Sequence, residues 1–436
     1  MRFLLWRLSS LLGGVAMLIV GVGLLFSVLG LRAGEADFSG VALGLITSAY
    51  FVGFVAGTYL CPKIIRKVGH IRAFAAMASL ASTMPILHAL WMDPWFWGAL
   101  RFITGTCLVG LYIVVESWLN TLAPNEHRGR LFSVYMAVNF VALALGQWLI
   151  LVDSSGGFVP FALVSVMFSF ALLPITMTPV DQPQPVDAPR LSMRTLYKAS
   201  PVGVAAAMAS GLISGAFYGM GALFAQGVGL QDQSVAAFLA AAILGGALFQ
   251  WPVGHYSDRH DRRWVLFFVC AMGVVVCLAV QALARVSVAS LFPLAVVFGG
   301  MIFAVYGLGV AHTNDVVDST RLVEFTGGLL LVHGTGAALG PTVAGVVMDY
   351  FGPSTLMFYF AVVLAGMAAY ALKRITTVAP VPEEAKGDFV VMGAGSQAVL
   401  HMDPRSLAEE LPSEGPEPEL AAMGGEEAER PAPQHE

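Results

Sequence analysis

Twelve apolar runs constrain this chain more than any other feature in it. They lie at about 9–31, 42–62, 73–92, 95–120, 131–152, 158–177, 202–226, 235–253, 264–284, 289–313, 325–348 and 355–372. Each is close to the roughly 20 residues a helix needs to cross the hydrocarbon core. No water reaches that core, so a spanning segment must satisfy its backbone internally, and runs this long do so as helices. Only 12% of the residues are charged and 57% are hydrophobic, where a soluble domain carries about 25% charge. Arg2 and Arg7 precede the first run as they would a signal peptide, but the run continues to Leu31. That is too long for a cleaved segment, and a first transmembrane helix is expected instead.

Charge divides the chain further. From Thr376 to Glu436 there are 13 acidic and 3 basic residues, against 15 acidic and 20 basic in the preceding body. The tail is rich in Pro, Glu, Gly and Ala and cannot bury enough apolar surface to offset chain entropy, so a disordered acidic tail is expected at 376–436. Two apolar stretches in it, Phe389 to Met392 and Leu407 to Leu411, are candidate docking segments. The longest polar break inside the body, Asp181 to Pro189 followed by Arg190, Arg194 and Lys198, reads as a proline-rich linker over 181–201. It separates six runs in 1–180 from six in 202–375. With the N-terminus inside, the inner segments and tail hold 20 Lys and Arg residues and the outer loops only Arg32 and Arg285. The positive-inside rule then predicts a multi-pass membrane protein with both termini cytoplasmic. Cys61, Cys107, Cys270 and Cys277 form no CxxC pair, which argues for buried thiols and against a metal site.

The two halves echo each other. A loop of packed charge after the eighth run, Gly254-His-Tyr-Ser-Asp258-Arg259-His-Asp261-Arg262-Arg263, has a counterpart after the second in Pro62-Lys63-Ile-Ile-Arg66-Lys67-Val-Gly69-His-Ile-Arg72. Asn139 stands seven residues before Gly146 in the fifth run, and His333 seven before Gly340 in the eleventh. Repeats of this kind are a common construction in transporters.

These features, with Arg101-x3-Gly105 and Arg128-Gly129-Arg130, resemble the major facilitator superfamily over about residues 10–375. Val115-Glu116-Ser117, Arg128-Gly129-Arg130-Leu131, Gln250-Trp251-Pro252-Val253-Gly254 and Leu339-Gly340-Pro341 are similar to its YcaD-like branch. The resemblance implies an all-α membrane protein of twelve transmembrane helices in two pseudo-symmetric six-helix halves. There are departures. Pro62 and Arg66 replace the glycine and aspartate of the first-half loop motif, Asp261 replaces a later glycine of the second, and the fifth run lacks the Gly-Pro-x2-Gly-Gly of drug/proton antiporters.

The function expected is secondary transport of a small solute by alternating access, with proton-coupled export first and symport or facilitated diffusion second. A receptor or scaffold signalling through the tail is the rival from another class. No GxxxxGK[ST] loop is present for direct ATP drive, and no nucleophile–base or metal spacing suggests an enzyme. Expected partners are a substrate and membrane lipids, with no nucleic acid, cofactor or metal, for a monomer. Ionisable groups inside a membrane are expensive and mark function by default. Arg101 and Glu116 lie about 60° apart on one helix wheel. Arg101 is a cation for an anionic group or a structural partner, and Glu116 a proton acceptor or half of an ion pair. Asn139, His333 and Asp315, the last as a mirror of Glu116 or simply solvated, complete the substrate and proton pathway. Gly211, Gly215 and Gly219, with Gly53 and Gly57, are surfaces for close helix packing, and Phe217 and Tyr218 an aromatic gate or plain core. Gly254, Asp258, Arg259, Arg262, Arg263, Arg128 and Arg130 are read as a cytoplasmic latch. In it, Asp258 would accept hydrogen bonds from a helix start in the opposite half, with Glu126 as a partner for the arginines.

Overall fold

The structure, a computed structural model, describes residues 2–122, 128–152, 157–177, 192–284, 286–318, 321–382, 386–387 and 389–390. Its helices are α1 (Arg2–Glu35), α2 (Gly40–Val68), α3 (His70–Leu90), α4 (Pro94–Leu122), α5 (Arg128–Trp148), α6 (Val159–Met177), α7 (Met193–Ala199), α8 (Pro201–Gly227), α9 (Asp232–Asp258), α10 (Arg262–Leu283), α11 (Val288–Val316), α12 (Leu322–Phe351) and α13 (Leu356–Thr377). α7 is a short helix within the linker; the other twelve are long and apolar enough to cross a membrane. They coincide with the twelve runs and overshoot several of them. The last continues to Thr377, because helix ends project into water, where polar residues are no longer costly.

Local chemistry sets the breaks. Ser39 caps α2 by accepting from the Ala42 amide. Gly69 takes φ 85° between α2 and α3, and Gly352 takes φ 95° after α12, a region that suits glycine because it has no Cβ. Asp261, which stands where the resembled motif has glycine, is the N-cap of α10 and accepts from the Arg263 amide at 2.9 Å.

Glycines also reveal the internal symmetry. Gly53 of α2 and Gly105 of α4 press on the backbones of Phe102 and Tyr50; Gly245 of α9 and Gly299 of α11 press on those of Val296 and Ala242. Gly146 packs against α1 at Gly23, and its counterpart Gly340 packs against α8 at Leu212. A side chain at any of these would collide with neighbouring backbone. The glycine row of α8 serves two surfaces, since Gly211 and Gly215 meet α12 while Gly219 meets Thr47 of the other half.

One end of the bundle is basic, with Lys63, Arg66, Lys67, Arg194, Lys198 and Arg259. The halves meet most tightly towards the opposite end. There Gly44 lies on Pro341 and Gly345 on Gly40. Ser48 and Thr342 share a hydrogen bond of 2.8 Å. The Asp349 carboxylate accepts from the Gly40 and Val41 amides, the second at 2.9 Å.

Candidate functional site

Between the halves, from mid-height towards the basic end, lies a cavity of about 160 Å³. Its lining comes from both halves. α1 and α2 supply an aromatic wall in which Phe26, Tyr50, Phe51 and Phe54 pack at centroid distances of 5.0–6.3 Å, and Tyr112 of α4 extends it. Two ring pairs bridge the halves beside the seal, Phe26 with Tyr218 at 5.6 Å and Phe140 with Phe303 at 6.1 Å. Tyr218 therefore lines the cavity, whereas Phe217 is core packed on Phe298 and Phe303.

Asn139 and His333 both reach this cavity, as their matched positions before Gly146 and Gly340 suggest. Asn139 donates from Nδ2 to the Tyr135 carbonyl at 2.7 Å. His333 places Nε2 3.4 Å from Ser214 Oγ and its ring 4.8 Å from that of Tyr306.

Arg101 and Glu116 stand behind the wall. The Arg101 guanidinium sits over the rings of Phe26 and Tyr50 at 4.5 and 4.3 Å, an arrangement worth about 2 kcal/mol when desolvated. At ~1.5 Å rise per residue, Glu116 is about 22 Å further along α4, so the two cannot pair. The Glu116 carboxylate is fully buried and accepts a hydrogen bond of 2.6 Å from the Tyr135 hydroxyl, and Tyr135 itself lines the cavity. Tyrosine is thus the link between the acid and the space where a solute would sit.

Asp315 is neither in the cavity nor solvated. Its side chain is 2% exposed and pairs with Arg262, Nε to Oδ2 at 2.6 Å, at the basic end of the C-terminal half. Arg262 also donates to Ser257 Oγ at 2.9 Å and to Asp258 at 3.0 Å. Arg263 joins Asp261 at 2.7 Å and donates to the carbonyls of Arg374 and Val378. Burial alone would raise the Asp261 carboxyl, but the Arg263 hydrogen bonds and charge outweigh it and hold the group below its ordinary 3.8. Arg259 and Arg130 are exposed. The Arg128 side chain and Glu126 lie outside the described residues. Gly254 and Asp258 meet the acidic tail rather than the other half. The Asp258 carboxylate accepts from the Phe389 amide at 2.9 Å, and the Phe389 ring covers Gly254. Of the two apolar tail stretches, the first docks through Phe389 and Val390; the rest of it and the second lie outside the described residues.

Sequence reasoning missed three groups. Gln250 lines the cavity, and neither of its side-chain polar atoms is bonded among the described residues. Tyr306 lies inside an apolar run with no local signal. Asp349 makes the carboxylate-to-helix-start contact that was expected of Asp258, but at the opposite end; its position just before Tyr350-Phe351-Gly352-Pro353 was the available clue.

A family model described as Major Facilitator Superfamily matches residues 11–243 and 202–411. An uncharacterized MFS-type transporter, YcaD of Escherichia coli O7:K1 (strain IAI39 / ExPEC), is 27% identical over 356 residues, which cover 80% of this chain and 91% of the relative. YcaD of Shigella flexneri serotype 5b (strain 8401) matches to the same extent. Among solved structures, the nucleoside transporter NupG superposes with a TM-score of 0.70 at 13% identity, covering 87% of this chain and 100% of that one. A bacterial homolog to the human lysosomal transporter Spinster, in an inward-facing and occupied conformation, also gives 0.70, at 14% identity, covering 87% and 98%. At these identities the solved structures speak to the fold alone.

Proposed function

Because the chain belongs to the Major Facilitator Superfamily and is a multi-pass membrane transporter of that kind rather than an enzyme, we propose that it moves a small solute by alternating access, with proton-coupled export as its direction. The observation that carries this reading is the pairing of a two-sided cavity with a buried acid one hydroxyl away. Glu116 is the proposed site of proton exchange, coupled to whether the cavity is wetted or filled. Tyr135, bonded to Glu116 and facing the cavity, relays the presence of a solute to it. Arg101, closed over by Phe26 and Tyr50, is a structural cation in this reading. Asn139 and His333 contact the solute.

The basic end is assigned to the cytoplasm, with both termini there. Closure at the other end by Asp349 then makes the present conformation inward-facing. In the reverse state, Asp258 serves as the latch, accepting from a helix start of the N-terminal half, with Arg128 and Arg130 beside it. The chain acts as a monomer, since each half supplies the other's wall. The test is flux in proteoliposomes under an imposed pH gradient, with compounds followed by mass spectrometry. Gradient-driven movement of a compound that binds the purified protein is expected. A protein that binds compounds and moves none under any gradient would instead be the receptor or scaffold.

A further inference from the structure

We propose that the cavity takes an uncharged planar ring compound that carries a carbonyl and an N–H side by side, a lactam or primary carboxamide edge. The inference rests on the transporter reading and deepens it. Two features of the cavity define the ligand. The first is the aromatic wall of Phe26, Tyr50, Phe51, Phe54 and Tyr112, which offers ring faces for stacking. The second is on the opposite wall. Gln250 is 1% exposed, yet among the described residues neither its Oε1 nor its Nε2 has a partner; Tyr306 is 4% exposed and its hydroxyl likewise has none there. Buried polar atoms are almost always satisfied, because an orphan loses its water without gaining a partner. A carboxamide with both ends free is complementary to a partner presenting one acceptor and one donor together, and the Tyr306 hydroxyl can serve as either. His333, beside Tyr306 and within reach of the Ala207 carbonyl, adjusts by tautomer.

Charge on the ligand is excluded by what faces it. Among the described residues, the Arg101 guanidinium is covered by the Phe26 and Tyr50 rings, and Tyr135 stands between Glu116 and the cavity. Among the described lining residues none is an acid, lysine or arginine, so a charged ligand would be desolvated with only His333 to offset an anion. The test measures binding by thermal shift and calorimetry in lipid nanodiscs, using 2-quinolone, N-methyl-2-quinolone and quinoline-2-carboxylate. 2-Quinolone is expected to bind at least about tenfold more tightly than either analogue, as one lost hydrogen bond at ~1.4 kcal/mol implies. Gln250→Leu should remove that preference, while Gln281→Leu, on α10 away from the cavity, should keep it. Equal or tighter binding of the carboxylate, no binding by any of the three, or an unchanged preference in Gln250→Leu would overturn the proposal. Gln250-dependent binding without flux would leave this site standing and remove the transporter reading.

A separate observation carries a second inference. We infer that Lys386, Gly387, Phe389 and Val390 of the tail form an internal plug that holds the basic end open. The Gly387 carbonyl accepts from Arg262, the Gly387 amide donates to Asp315 at 3.2 Å, the Phe389 amide donates to Asp258 at 2.9 Å, and Lys386 Nζ donates to the His260 carbonyl at 3.1 Å. The Phe389 ring fills a notch between Gly254 of α9 and Gly307 of α11, where added side chains would strike it. The segment thus occupies the carboxylate that the latch requires, and closure at this end demands its release. Hydrogen exchange on the full chain should find the Gly387 and Phe389 amides protected. Phe389→Ala should lose that protection and shift cysteine accessibility towards the state closed at the basic end. Gly307→Leu, which blocks the notch with the tail intact, should do the same. Unprotected amides in the wild type, or accessibility unchanged in both variants, would overturn it.

Discussion

The two halves have the same architecture and treat their ionisable groups in opposite ways. The N-terminal half buries Arg101 against aromatic rings and Glu116 under a tyrosine hydroxyl, each far from a group of opposite charge on its own helix. The C-terminal half joins Arg262 with Asp315 and Asp258, and Arg263 with Asp261, in a network at the basic end, and lines the cavity with Ser210, Ser214, Gln250, Tyr306 and His333. The difference separates tasks. In the proposed mechanism Glu116 exchanges the proton, whereas the Asp315 carboxylate is held by the buried Arg262 guanidinium. Proton exchange is thus proposed for the first half and the latch carboxylate for the second, while both halves line the cavity.

The largest break in this comparison is Glu116→Gln. Gradient-driven flux in proteoliposomes should fall to background while solute exchange without a gradient continues, because the amide keeps a partner for Tyr135 but carries no proton. The corresponding change in the other half, Asp315→Asn, should leave coupling intact and act on stability. Removing one partner of a buried ion pair costs about 3–5 kcal/mol. Asp258, Ser257 and the Gly387 carbonyl still hold Arg262, so a loss at the lower end, read as a drop in Tm, is expected. Coupling lost in Asp315→Asn and retained in Glu116→Gln would reverse the assignment of tasks.

The seal and the latch offer a smaller test. A carboxylate at a helix start contributes roughly 0.3–2 kcal/mol. Asp349→Asn should therefore move the conformational balance by up to about thirtyfold towards the state closed at the basic end. Asp258→Asn should move it the other way, by less, because its carboxylate is already engaged by Phe389 in the present state. Cysteine accessibility at each end reads both. Identical shifts for the two variants would mean that neither acts as a gate.

How much of this was legible in the chain differs between fold and site. Apolar length dictated twelve helices, and the charge count separated the basic end, since both depend on transfer free energies that act residue by residue. The matched Asn139–Gly146 and His333–Gly340 spacings placed two residues in the cavity because helix periodicity maps spacing onto a face. Gln250, Tyr306 and Asp349 were not legible, for their roles depend on what stands across the gap between halves. Asp315 looked like a mirror of Glu116 in sequence, and only the packing of α10 against α11 reveals the arginine that engages it. Phe389 was visible as apolar, but its socket is made by two glycines 53 residues apart, Gly254 and Gly307.

The smallest expected effect tests whether charge is held as firmly in the C-terminal network as its geometry implies. Asp261 caps α10 and is bound by Arg263, and its carboxyl sits below its ordinary 3.8 despite the opposing effect of burial. A group whose pKa is depressed in the folded protein contributes stability that is fully present above its unfolded value. That contribution fades as pH falls through the folded value. Asn caps a helix about as well as Asp, so Asp261→Asn removes the charge and leaves the cap. Wild type should then exceed the variant in Tm by a constant margin between about pH 5 and 8. The margin should close as pH falls below 4. A margin that persists in acid would mean that Asp261 acts through hydrogen-bond geometry alone, and that the C-terminal half stores less of its stability in ion pairs than the contrast with Glu116 requires.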